Sequence, residues 1–231
     1  MVDFSGGTWR SLIDGSEVSA IPDAQDLLGS FDSRQIELSN NDSVSSWSDE
    51  TGNDNTLTAN SGEEPEYRTD EVEGLPAVYV DPNNDRLSVD VDNVSPPYTI
   101  FILVQQETSA QDADYISFFD DDSSAGILGQ NSADEYRLRT SLSDLRDGSF
   151  NTDPAILGGV VNGSDSVLRY NGEGATGTLD DDDLQNITVN GRKDRDTGDY
   201  AVVEILVYDG DKSDIADEIE GHLDRDTSIL S

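Results

Sequence analysis

Residues 200–209 read Tyr-Ala-Val-Val-Glu-Ile-Leu-Val-Tyr-Asp, and the Val202–Val207 run at their centre predicts a central strand buried on both faces. Ile100–Val104 (Ile-Phe-Ile-Leu-Val) predicts a second strand of the same kind. Around these two lie shorter candidates: Val44–Trp47, Leu57–Ala59, Ala77–Val80, Leu87–Val91, Tyr115–Phe119, Tyr136–Thr140, Ile156–Val161, Val167–Tyr170 and Ile187–Val189. Some alternate with period two, so that Leu87, Val89 and Val91 share one face and Ser88 and Asp90 the other. Clusters of Gly, Asn, Asp and Pro separate the runs, and many short strands so punctuated make a β-sandwich or barrel. One helix is expected. Ser213 reads as its N-cap, Asp214 and Asp217 sit in its first turn, and Ile215, Ile219 and Leu223 form its apolar stripe.

The first 22 residues read differently. Phe4, Trp9, Leu12 and Ile13 are apolar anchors, and Asp14-Gly15 is a tight-turn pair between Trp9–Ile13 and Glu17–Ile21. The expectation is an N-terminal arm or hairpin over 1–22, serving docking or oligomerisation, ahead of one domain over 23–231. An ordinary first strand is the alternative.

The chain has 231 residues, 50 acidic and 13 basic, with a formal charge of −37 and no cysteine. Docking on nucleic acid or anionic lipid would set like charge against like, so neither is an expected partner. Disulfide and thiolate chemistry are excluded, and no stretch approaches the length of a membrane span. Asp outnumbers Glu 36 to 14 and Arg outnumbers Lys 11 to 2, with the acids spread along the whole length. An even coat suggests adaptation to concentrated salt, in which the repulsion is screened within about 3 Å at 1 M. Met1-Val2-Asp3-Phe4 has neither a basic nor an apolar leader region, so no export signal is expected.

Several ordered motifs carry a resemblance. Trp47, Asp49, Gly52 and Asn53 resemble a W-x-D-x-x-G-N opening; Gly74–Val78, followed by Asp81 to Leu87, resembles G-x-P-x-V-x-F-D-G-x-x-D-x-L. Leu168–Gly172 is similar to an L-Y-V-N-G hairpin. Val203–Asp209 with Ser213-Asp214 and Ile219–Leu223 resembles A-E-I-I-I-Y-D-x-x-L-S-D … I-E-G-Y-L. Together these resemble the concanavalin A-like, laminin-G-like jelly rolls over about residues 24–225. The resemblance implies an all-β jelly-roll sandwich with a short C-terminal helix. It also implies a glycan- or protein-binding role at one rim or on the concave sheet, sometimes with calcium. Asp81-Pro82 and Asp211-Lys212 depart from the pattern.

Candidate chemistry is sparse. His222 is the only histidine and sits beside the helical stripe, which favours packing over a catalytic triad or zinc. Gly172, Gly174 and Gly177 spell G-x-G-x-x-G, but Thr178, Leu179 and Asp180–Asp183 follow where a phosphate-binding helix should begin, so this is a hairpin. The paired catalytic carboxylates of jelly-roll glycosidases have no Glu-x-Asp-x-x-Glu counterpart here. Asp81, Asn83 and Asp85 alternate oxygen donors and are the calcium candidates, against a reading as solvated surface. Tyr170, Tyr136, Tyr98 and Trp47 are candidate sugar platforms. The expected role is non-enzymatic: a virion structural or adhesion protein (capsid turret, spike or tail fibre) of a halophilic archaeal virus, assembled in the host cytoplasm. Its expected partners are other virion proteins, the host S-layer glycan or glycoprotein, and further copies of itself. A cellular or secreted glycan-binding module, a polysaccharide-degrading enzyme and a purely decorative capsid-stabilising role are the alternatives.

Overall fold

The computed structural model describes residues 9–10, 17–18, 20–81, 84–107, 113–121, 124–131, 135–148, 151–190 and 199–230. Two antiparallel sheets of eight strands face each other, with a short C-terminal helix, so the all-β sandwich expectation holds. One sheet runs, in spatial order, Asp144–Asp147, Tyr136–Arg139, Ser124–Gln130, Ala113–Asp121, Leu184–Val189, Leu87–Val94, Leu57–Thr58, Ser46–Trp47. The other runs Glu173–Gly177, Ser166–Tyr170, Ala155–Val161, Tyr98–Gln106, Tyr200–Asp209, Leu75–Val80, Glu66–Val72, and Leu27–Asp32 also pairs with Tyr200–Asp209.

Both long apolar strands lie in the second sheet, side by side, and each contributes to two cores. Tyr98, Ile100, Ile102, Tyr200, Val202, Ile205 and Val207 face the first sheet. Phe101, Leu103, Ala201, Val203, Leu206 and Tyr208 face outward, where the helix Ala216–Leu223 lays Ile219 and Leu223 over them. A sheet covered on both sides needs no polar alternation, which is why these two runs read as continuous. The expected helix stripe is therefore correct. The expected cap is not: a 3-10 turn spans Ser213–Ile215 before the helix, whose N-cap position is Ile215, and the Ser213 hydroxyl donates to Asp211 Oδ1.

The first sheet shows the two-faced pattern. Leu87, Val189, Ile116, Leu128 and Leu138 are successive cross-strand neighbours on the core face. The opposite face carries the ladder Thr58, Ser88, Thr188, Ser117 and Ile127. Close approach fixes one glycine here. A Cβ on Gly129 would lie 2.1 Å from the Ala113 carbonyl oxygen, a backbone atom with no room to yield. Gly129→Ala is expected to destabilise the domain by about 2–3 kcal/mol through strand displacement, read from the shift of the urea midpoint.

Five strands have weak sequence signals: Leu27–Asp32, Glu66–Val72, Ser124–Gln130, Asp144–Asp147 and Glu173–Gly177. Glu66–Val72, Asp144–Asp147 and Glu173–Gly177 lie at sheet edges, where charge and glycine blunt unwanted pairing and so hide the apolar period. Near the N-terminus, Trp9–Arg10 pairs with Glu17–Val18 as a two-stranded sheet of its own, and the expected Asp14-Gly15 turn lies outside the described residues. Phe4, Leu12 and Ile13 lie outside the described residues.

Candidate functional site

Tyr200–Asp209 shares one edge between two partners. Tyr200–Val202 pairs with Val78–Val80, and Glu204–Tyr208 pairs with Leu27–Asp32. On its other edge a bulge lies between Val202 and Glu204. The extra residue shifts the alternation: Val202 and Ile205 both face the inter-sheet core, so Glu204 is kept out of it.

Glu204 is 1% exposed yet fully engaged. Its Oε1 lies 3.1 Å from His222 Nε2, while its Oε2 accepts from Arg225 Nη1 at 2.8 Å and from Arg34 Nη2. Burial alone would push the carboxyl up; the His222 hydrogen bond and the charges of Arg225 and Arg34 outweigh it and hold Glu204 below its ordinary value. Arg34 is tied further to Asp32 at 2.7 Å and Asp226 at 2.8 Å. His222 therefore does more than pack: it anchors the C-terminal helix to the one buried charge of the central strand.

This cluster lines a cavity of about 500 Å³ that also includes Ile21, Gln35 and Glu50. Asp32, Gln35 and Glu50 also line a second cavity of about 350 Å³, which continues past Glu37 to the serines 43, 45, 46 and 48 and to Trp47. The result is one groove along the split edge. Beside it, residues of the W-x-D-x-x-G-N stretch and the following Asn55 hydrogen-bond the edge of Leu27–Asp32. Asp49 Oδ1 accepts from the Ser30 and Thr51 N–H groups, both at 3.0 Å. Asn53 Nδ2 donates to the Leu27 carbonyl at 2.9 Å, and Asn55 Nδ2 to the Leu28 carbonyl at 2.7 Å. The groove side chains of Glu50, Gln35, Glu37 and the four serines are exposed and hold no hydrogen-bond partner among the described residues. Two buried atoms of lining residues, Trp47 Nε1 and His222 Nδ1, also lack a partner.

The four candidate sugar platforms fare unequally. Trp47, Tyr98 and Tyr136 are buried core residues. Tyr170 alone is half-buried, with one face stacked on Tyr136 at 4.5 Å between ring centroids. Gly172, Gly174 and Gly177 lie in the hairpin of Ser166–Tyr170 with Glu173–Gly177, as the sequence indicates. For calcium, the Asp81 N–H donates to Asp85 Oδ2 at 2.7 Å, and Asn83 lies outside the described residues. Burial pushes the Asp85 carboxyl up to about 6, with Asp81, Glu66 and Asp199 adding to the rise against that hydrogen bond. Among the described residues, no group of three or more His, Asp or Glu side chains is arranged to hold a metal ion.

The groove itself was not visible in the sequence. Its one signal is Glu204 inside an apolar run, since a buried carboxylate needs cationic partners somewhere in the fold.

No family model and no curated protein matches the chain. Solved structures do. The binding domain of Paraclostridial Mosquitocidal Protein 1 superposes with a TM-score of 0.60 at 13% identity, over 86% of this chain and 52% of that one. Trypanosoma rangeli sialidase in complex with sialic acid gives 0.63 at 12%, over 93% of this chain and 35% of that one. This chain thus spans about half and about a third of those two proteins. Domain 4 of AbnA, a GH43 extracellular arabinanase from Geobacillus stearothermophilus, in complex with arabinotriose, gives 0.58 at 15%, over 84% of this chain and 98% of that domain. At these identities the likeness shows a shared β-sandwich fold.

Proposed function

We propose that this chain is a non-catalytic carbohydrate-binding sandwich whose binding site is the groove along the split edge. The observation that carries the reading is the groove's free chemistry: serine hydroxyls, the Gln35 amide and the Glu50 and Glu37 carboxylates, all without partners among the described residues. Groups of this kind exchange hydrogen bonds with a polyhydroxylated ligand. Glu204 is unsuited to proton transfer, because two guanidiniums and an imidazole hold it. The arabinotriose complex of the AbnA domain, which this chain covers almost end to end in fold, supports the same reading.

The finer proposal places the domain on the surface of a halophilic archaeal virus, as a turret, spike or fibre module meeting the host S-layer glycan. The evenly spread acidity and the N-terminal hairpin motivate it. An isolated two-stranded hairpin is marginally stable in water, so the arm needs a partner surface, in this reading a capsid or tail protein or a second copy. Removing residues 1–22 is expected to leave the sandwich folded and to reduce a defined oligomer to monomer, measured by light scattering in salt above about 1 M. An unchanged oligomer after truncation would remove the arm from that role.

The experiment for the main proposal is a glycan array probed with the full chain in concentrated salt, paired with a reducing-sugar assay on the glycans retained. Retention without turnover is the expected result. Turnover would favour a polysaccharide-degrading enzyme, and an array with no retained glycan would remove the carbohydrate reading.

A further inference from the structure

We infer that the groove selects uncharged glycans and rejects acidic ones such as sialylated sugars; this rests on the carbohydrate reading above. Asp32, Glu50, Glu204 and Asp226 face the first cavity against only two guanidiniums, Arg34 and Arg225, and Glu37 adds another carboxylate in the second.

The guanidiniums are also already committed. An arginine recognises a carboxylate by presenting a fork of parallel N–H donors. In Arg34, Nε is bound to Asp32, Nη1 to Asp226 and Nη2 to Glu204. In Arg225, Nη1 serves Glu204 and the His222 carbonyl, Nη2 faces Asp32 at 3.5 Å, and Nε faces Asp226 at 3.8 Å. Neither presents an unengaged fork toward a ligand. A sugar carboxylate entering the groove would meet carboxylates and displace an internal ion pair to gain a new one. The balance is unfavourable on both counts.

An uncharged sugar meets the opposite situation. The Glu50 and Glu37 carboxylates accept hydrogen bonds from ligand hydroxyls, bonds that are strengthened by the acceptor's charge. Gln35 and the serines at 43, 45, 46 and 48 supply neutral donors and acceptors around them. Molar salt does not reverse this, because screening removes long-range repulsion but not the mismatch at contact distance.

The test compares matched glycans, uncharged and terminally sialylated, against the full chain by calorimetry in salt above about 1 M. Three proteins are used: wild type, Glu50→Ala, and Glu173→Ala as an exposed control on the Glu173–Gly177 edge. Glu50→Ala keeps the backbone N–H that donates to Ser30, and circular dichroism verifies its fold. The expected result is tenfold or greater preference for the uncharged glycan, a tenfold or greater loss in Glu50→Ala and none in Glu173→Ala. Preference for the sialylated glycan, or uncharged-glycan binding indifferent to Glu50→Ala, would overturn this inference and leave carbohydrate binding standing. No binding of either glycan by any protein would overturn both.

Discussion

In dilute buffer the chain is expected to lose its fold, and to regain it as salt rises toward and beyond about 1 M. The structure explains why so little positive charge is left to moderate the 50 acidic side chains. Of the 13 basic side chains, Arg34, Arg68, Arg137, Arg146, Arg169, Lys212 and Arg225 are bound to carboxylates within the fold. They act as internal ties: Arg169 holds Glu220 of the C-terminal helix at 2.7 Å, and the buried Lys212 holds Asp26 at 2.5 Å. The surface acids therefore repel one another with little compensation. At about 0.1 M salt the Debye length of about 10 Å spans several neighbouring carboxylates; at 1 M it is about 3 Å and the repulsion is local. Circular dichroism across a potassium chloride series checks this, with a cooperative gain of β signal expected. A fold equally stable at every salt concentration would contradict it.

The second large effect is at Glu204. Replacing it with Gln removes the charge that holds Arg34, Arg225 and His222 together beneath the C-terminal helix. Breaking a buried pair from one side costs about 3–5 kcal/mol. The remaining contacts of both arginines to Asp32 and Asp226 place the expected loss near the lower end, about 3 kcal/mol. The pH dependence has a definite sign. Because the folded carboxyl is held below its ordinary 4.5, its contribution is complete above pH 4.5 and disappears as pH falls through the lowered folded-state value. Urea denaturation at constant high salt should show wild type well above Glu204→Gln at pH 7, with the gap closing below pH 4.5. A gap that stays constant into acid would mean that ionisation of Glu204 is not its source.

These two results concern features of different legibility. The charge imbalance is plain in composition, and the sandwich is plain in the two continuous apolar runs, which only a doubly covered sheet can accommodate. The W-x-D-x-x-G-N residues were also visible, but not their work: Asp49 and Asn53 satisfy the free edge of Leu27–Asp32, a strand masked in sequence by its Gly29-Ser30 centre. The groove was hidden for a related reason. It is assembled from residues as distant as Arg34 and Arg225, brought together by strand pairing and by a bulge that no local period announces. Aromatic identity likewise misled, since three of the four candidate platforms fill the core and only Tyr170 keeps a partly open face.

The central claim is that the groove, and no other face, receives the ligand. The most direct measurement is amide chemical-shift mapping of the full chain with a glycan it retains, in concentrated salt. The account predicts the largest changes at 32–37 and 43–50, with Glu204 and His222 following. Changes concentrated instead around the Thr58–Ser88 pair, on the opposite face of the first sheet, would contradict it and would move the site there.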